Sequence, residues 1–251
     1  MDAYLKPIMR WGMDDRQTGV SDNMIANALR LARGRLSIVI VLLEPIADSG
    51  TYDEMMQQCS TLREVDLLIR TASKGKYSLR DATILDVRIL LSKERQGRYD
   101  LSNDVLEASY NVFEEVVELK SPNVILSLQC QTRTAKNAFA RKLCSQYRDH
   151  VEIEKIQIRG HDTIVVRGFR PSKYLNYTKN GTERLRLRQI LTDCFQSAFH
   201  ALEAHGRRSG MTCFGQRFLY PERIQKRKSS QSSSQPVDIT KLTEDIGNIR
   251  I

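Results

Sequence analysis

Residues 36–43 read Leu-Ser-Ile-Val-Ile-Val-Leu-Leu, closed by Gly34 on one side and Pro45 on the other. A helix face would break such a run with polar residues every three or four positions, and a half-wet strand would alternate. A nearly continuous apolar run of this length reads as a strand buried on both faces. Strands of that kind sit in parallel sheets covered by helices on two sides.

The rest of the chain supplies such helices and further strands in alternation. Ser21 reads as an N-cap for a helix carrying Met24, Ile25, Ala28, Leu29 and Ala32. A second helix covers Ser60–Thr71, with Leu62, Val65, Leu68 and Ile69 on one face. Ala82–Leu91 reads as the second strand. Ser102 opens a helix that Pro122 stops, and Val124–Leu128 is a third strand. Thr132–Tyr147 reads as a helix. Val151–Ile158 and Asp162–Phe169 are two more strands, with Gly160 in the turn; they pair as a hairpin, or one is an edge element. Leu187, Leu191, Cys194, Ala198 and Leu202 then mark a long helix that Gly206 ends. This order predicts an α/β fold: a three-layer α/β/α domain with a central mostly parallel sheet of four to five strands, over residues 15–206.

Composition agrees with one domain of that size. The chain has 251 residues, 41% of them hydrophobic, which is enough for a sizeable core. No apolar stretch reaches the roughly 18 residues of a membrane helix, so no membrane partner is expected. Met1–Met13 has no secretory apolar region. The five cysteines are scattered and form no Cys-x-x-Cys pair. That pattern predicts no metal, no cofactor and a reducing compartment, nuclear or cytoplasmic. Residues 207–251 read as a basic, Ser/Gln-rich, largely disordered tail. Lys226-Arg227-Lys228 within it matches a weak nuclear-localisation pattern.

The net charge of +9 is unevenly spread. Gly206–Lys228 holds seven Lys/Arg against Glu222 alone. A second basic run lies inside the domain. Arg167, Arg170, Lys173, Lys179, Arg184, Arg186 and Arg188 oppose only Glu183 in sequence. This run follows the last strand, where Gly168 and Pro171 turn the chain out of the sheet. In open α/β sheets, ligands bind at the carboxyl ends of strands. Interleaved Tyr174 and Tyr177 would stack on bases, and the cations would release counterions from a polyanion such as DNA. The alternative is a solvated basic face on an ordinary strand-to-helix connection.

Three polar positions stand at or near strand ends: Glu44-Pro45 after the first strand, Asp86 interrupting the second in Thr83-Ile-Leu-Asp86, and Arg170-Pro171-Ser172 after the last. With Val124-Ile-Leu-Ser-Leu and the later Ala135-Lys136, their order resembles the uracil-DNA glycosylase superfamily over roughly residues 36–200. The resemblance implies Glu44 as the carboxylate that holds the attacking water. It implies Asp86, with Ser172, as base-binding, and Arg170 as the group that stabilises the departing base. It also implies a wedge at Tyr174 or Leu175, beside nucleic-acid contacts from Lys173, Tyr177 and Lys179. The family carries Gly-Gln where this chain has Leu42-Leu43, Asp at Glu44, an aromatic at Ile46, Asn at Asp86 and His at Arg170. As a carboxylate, Asp86 only accepts hydrogen bonds and cannot copy an amide, so it would pair with a base amino group or with Arg170; a structural ion pair with Arg88 or Arg170 is the other reading. Glu44 likewise reads as a cap or a strand-end carboxylate. Two function classes stay open: a glycosylase that releases a base from DNA, and a non-catalytic nucleic-acid-binding or interaction protein with the same fold.

Overall fold

The Ile38–Leu42 segment forms strand β1 with every residue buried. Its side chains alternate between two cores. Val39 and Val41 join one cluster, and Ile38, Ile40 and Leu42 join the other. A strand that feeds two cores must be apolar at every position, as the sequence is. The computed structural model describes residues 1–17, 19–42, 50–91, 102–128, 137–143 and 150–210, with side chains to residue 206. Glu44, Ile46, Ala135, Lys136 and the tail from residue 211 lie outside the described residues.

β1 pairs in parallel with β2 (Thr83–Asp86) on one side and β3 (Val124–Ser127) on the other. β3 pairs in parallel with β5 (His161–Arg167), and β4 (Glu152–Ile158) runs antiparallel at the edge. The order is therefore β2-β1-β3-β5-β4. The last two strands form a hairpin that pairs Ile158 with His161. Arg159 and Gly160 between them both have positive φ, +47° and +81°, as a two-residue hairpin turn of the type that follows the strand twist requires.

Helices cover both faces. One face carries α1 (Lys6–Gly12), α2 (Asp22–Ala32), α5 (Asn103–Lys120) and α6 (Ala138–Leu143). The other carries α3 (Tyr52–Gln58), α4 (Ser60–Ala72) and α7 (Gly181–Gly210). Among the described residues, this is the expected three-layer α/β/α arrangement. Leu31 of α2 faces the second core. Ser21 caps α2 by accepting the Met24 N–H at 3.2 Å, as expected.

Some boundaries differ from the sequence reading. The core reaches upstream of residue 15: Tyr4, Leu5, Ile8 and Trp11 are all buried in the first cluster. α7 begins at Gly181 and runs through Gly206 to Gly210. The second strand stops at Asp86 instead of running to Leu91. Its apolar continuation does not alternate, because Val87, Ile89, Leu90 and Leu91 all pack into one core. The Arg88 N–H turns back to Asp86 Oδ1 at 3.0 Å, and Leu90 sits at φ +57°, which no strand allows.

Candidate functional site at the carboxyl edge of the sheet

The chain switches direction between β1 and β3, since β2 lies on one side of β1 and all later strands on the other. Open α/β sheets hold their ligands outside the strand ends at such a point. Asp86 ends β2 on one side of it. Arg170 follows β5 on the other side. The strands themselves are three spacings apart, about 14 Å, yet the Arg170 guanidinium comes close enough to act on the Asp86 carboxyl. Two residues from opposite halves of the sheet are therefore within electrostatic range of one another over the strand ends.

Asp86 is only 5% exposed. Burial pushes its carboxyl well above the ordinary carboxylate range, against the opposing pull of the Arg88 N–H and the Arg170 charge. Arg88 joins the same cluster. Burial also works against its charge, Arg170 adds repulsion, and Tyr110 of α5 supports it. Arg88 is the functional candidate that sequence reading named only as an ion-pair partner. Its signal was a charge set among Val87, Ile89, Leu90 and Leu91, a place where an unpartnered cation is costly.

The loop after β5 is tightly held. Pro171 and Ser172 are buried, and the Lys173, Tyr174 and Leu175 N–H groups bond back to Arg170 and Pro171 carbonyls at 3.0–3.2 Å. Ser172 is 8% exposed beside Arg170, where the sequence reading set a base contact. Tyr174, expected to meet bases, is instead 1% exposed, and its hydroxyl donates to Glu64 Oε1 at 2.7 Å. Burial and Glu64 together push that phenol far above its usual value. Leu175 packs against the same core. Tyr174 presents no free surface for stacking, and Leu175 is half-buried against the core. Tyr177 takes the outward position at 78% exposed, close in sequence to exposed Lys179 and Arg184.

Much of the basic run is neutralised from other elements. Arg167 is buried and bonds to Glu152 at 3.2 Å, Glu154 at 2.5 Å and the Lys142 carbonyl at 2.9 Å. Arg186 pairs with Glu183 at 2.7 Å, and Arg188 with Glu64 at 3.0 Å. Lys173 stands 5.8 Å from the Phe169 ring. The local charge counted along the sequence therefore overstates the charge in space.

Tyr174→Phe should lower stability by about 1–2 kcal/mol, because it removes a part-buried hydrogen bond to a charged group. Urea unfolding measures this directly. An unchanged midpoint would mean that the Tyr174 hydroxyl is not bound and that the loop is free to turn Tyr174 outward.

A cleft of about 360 Å³ opens elsewhere, between α1 and α5, lined by Arg10, Trp11, Asp14, Arg16, Asn111 and Glu115 among others. Its rim is internally paired: Arg10 with Glu115 at 2.7 Å, and Arg16 with Asp14 at 2.8 Å. It offers no net charge to a polyanion. Among the described residues, no group of three His, Cys, Asp or Glu side chains is set to hold a metal ion, and no helix is long and apolar enough to cross a membrane. No known family model matches the chain, and no curated protein is similar enough to match it.

Proposed function

We propose that the protein binds a base of DNA at the carboxyl edge of its sheet and releases it by hydrolysis, as a divergent relative of uracil-DNA glycosylases. The observation that carries this reading is the placement of buried Asp86 at the end of β2 and of Arg170-Pro171-Ser172 just beyond β5, both at the carboxyl edge of the sheet. The chemistry fits the residues. A base must leave the stack to reach a pocket. Its departure as an anion is stabilised by a fixed positive group, and a guanidinium remains protonated throughout. The water-holding role falls to Glu44 by resemblance. Beyond the strand ends, Tyr177 is the aromatic left to stack, with Lys179 and Arg184 on the backbone.

The test is a strand-scission assay on single-stranded and duplex oligonucleotides carrying uracil, hypoxanthine or a mismatch. Wild type should release one of these bases, and Arg170→Ala should slow release by about 100-fold. DNA affinity should stay nearly unchanged. Replacing Lys179 and Arg184 by alanine should instead flatten the salt dependence of binding, by about 0.7–0.9 in log–log slope per cation lost. A second reading has its own support. Arg170 acts electrostatically on the buried Asp86 carboxyl, which suits a structural role for both in a non-catalytic DNA-binding protein. Steep salt-dependent binding with no release of any base favours that reading. Absence of both excludes the two together.

A further inference from the structure

We propose that the cleft between α1 and α5 is a binding site for a free amino acid with an apolar side chain, held by its carboxylate and its ammonium together. The site uses neither Asp86 nor Arg170 and does not depend on the DNA reading.

Helical spacing builds one wall. Ala108, Val112 and Glu115 of α5 follow at intervals of four and three, so they share one face. Ala108 and Val112 pack against the core but are only half-buried, which leaves apolar atoms facing the cleft. Arg10 and Trp11 of α1, with Asp14 and Arg16 just after it, form the other wall. The Trp11 indole N–H donates to the Ile89 carbonyl at 3.0 Å, which fixes the ring in place. The volume of about 360 Å³ lies at the lower end of the roughly 300–1,000 Å³ typical of ligand sites. That suits a small molecule better than a stretch of peptide.

The charges select the ligand. Arg16 holds both oxygens of Asp14 through Nε and Nη2, each at 2.8 Å. A guanidinium has five N–H groups, so the edge made by Nη1 and Nη2 has no partner among the described residues. Such an edge matches a carboxylate with two parallel hydrogen bonds. Its position is set beforehand, because Asp14 also accepts the Arg16 backbone N–H at 3.0 Å and the guanidinium stands 5.3 Å from the Trp11 ring centre. Across the cleft, Glu115 accepts from Arg10 through Oε2 at 2.7 Å. Its Oε1 is left to accept from an ammonium.

Uncommitted groups of both signs therefore line one cleft whose two cations and two carboxylates balance. A simple anion would bring its charge beside Asp14 and Glu115, and a simple cation beside Arg10 and Arg16. A zwitterion finds a partner at each end, and an apolar side chain covers the exposed part of Ala108 and Val112. Both ion pairs lie at the solvent-exposed rim, where such pairs contribute little to folding. Their residues can be replaced without loss of the fold.

The experiment reads the cleft directly. Trp11 is the only tryptophan of the chain, so its fluorescence reports binding in the full-length protein without a label. Leucine is titrated beside N-acetylleucine, which lacks the ammonium, leucinamide, which lacks the carboxylate, and glycine, which lacks the apolar side chain. Leucine should give a saturable change, and each of the others should bind at least about tenfold more weakly. Glu115→Gln should narrow the gap between leucine and N-acetylleucine, and Arg16→Gln the gap between leucine and leucinamide. No saturable change with leucine below about 10 mM overturns the proposal. So does binding of N-acetylleucine or leucinamide as tight as that of leucine, or a leucine affinity unaltered in both variants. The analogues are compared on wild type alone, so the outcome does not hang on either variant.

Discussion

Replacing Gly34 by alanine is expected to leave little folded protein. A Cβ built on Gly34 would lie 2.0 Å from the Ala82 carbonyl carbon and 2.2 Å from the Thr83 nitrogen. Those are backbone atoms at the start of β2, and they have no rotamer to escape through. The only relief is to move β2 away from the turn that follows α2. That movement breaks the Thr83 hydroxyl bond to the Gly34 carbonyl at 3.2 Å. Overpacking against fixed backbone costs on the order of 3 kcal/mol or more, a large part of the roughly 5–15 kcal/mol that holds a domain folded. The measurement is soluble yield followed by urea unfolding. A Gly34→Ala protein with the wild-type midpoint would mean that β2 does not approach Gly34 this closely.

Trp11→Ala should be the next most damaging change. Trp11 is 3% exposed, and its indole N–H donates to the Ile89 carbonyl at 3.0 Å. Truncation of a buried aromatic of this size costs about 3–5 kcal/mol. Trp11→Phe keeps most of the packing and loses the bond, for about 1 kcal/mol. The Ile89 carbonyl belongs to the turn that carries Arg88, so both variants should also loosen the candidate site. In urea unfolding, Trp11→Ala should show much the larger shift. Equal small effects would place α1 outside the folding core.

That dependence on α1 was not legible in the sequence, although its signals were present. Pro7 lies in the first turn, where helices accept proline, but one short helix with Arg10 and Lys6 among its apolar residues has little periodicity to read. The α3 helix was missed for a similar reason. Its capping box, Thr51 with Glu54, is visible in Thr-Tyr-Asp-Glu, and both reciprocal bonds form. The central strands were legible because burial on two faces demands unbroken apolar runs, and the hairpin because Gly160 permits its turn.

The candidate site divides in the same way. Sequence order set Arg170 just beyond a strand end, but it left Asp86 inside a strand running to Leu91, because the apolar residues after Asp86 hide where β2 stops. It could not report which side chains of one loop turn inward. Tyr174 and Tyr177 are three residues apart with similar neighbours, yet one bonds Glu64 from α4 and the other faces solvent. The fate of Tyr174 depends on a partner 110 residues away in sequence. The basic run failed for that reason too: Glu64, Glu152 and Glu154 reach its arginines from elements that a local charge count does not see. Glu44 remains a candidate from the sequence alone.

The location of the ligand is the central claim, and amide NMR tests it most directly. A uracil-bearing single-stranded oligonucleotide is titrated into labelled full-length protein. The largest shift changes should fall at Asp86–Arg88 and across Arg170–Tyr177, with Lys179 and Arg184 following. Changes confined to the cleft around Arg10, Trp11 and Asn111, or no changes at all, would contradict it.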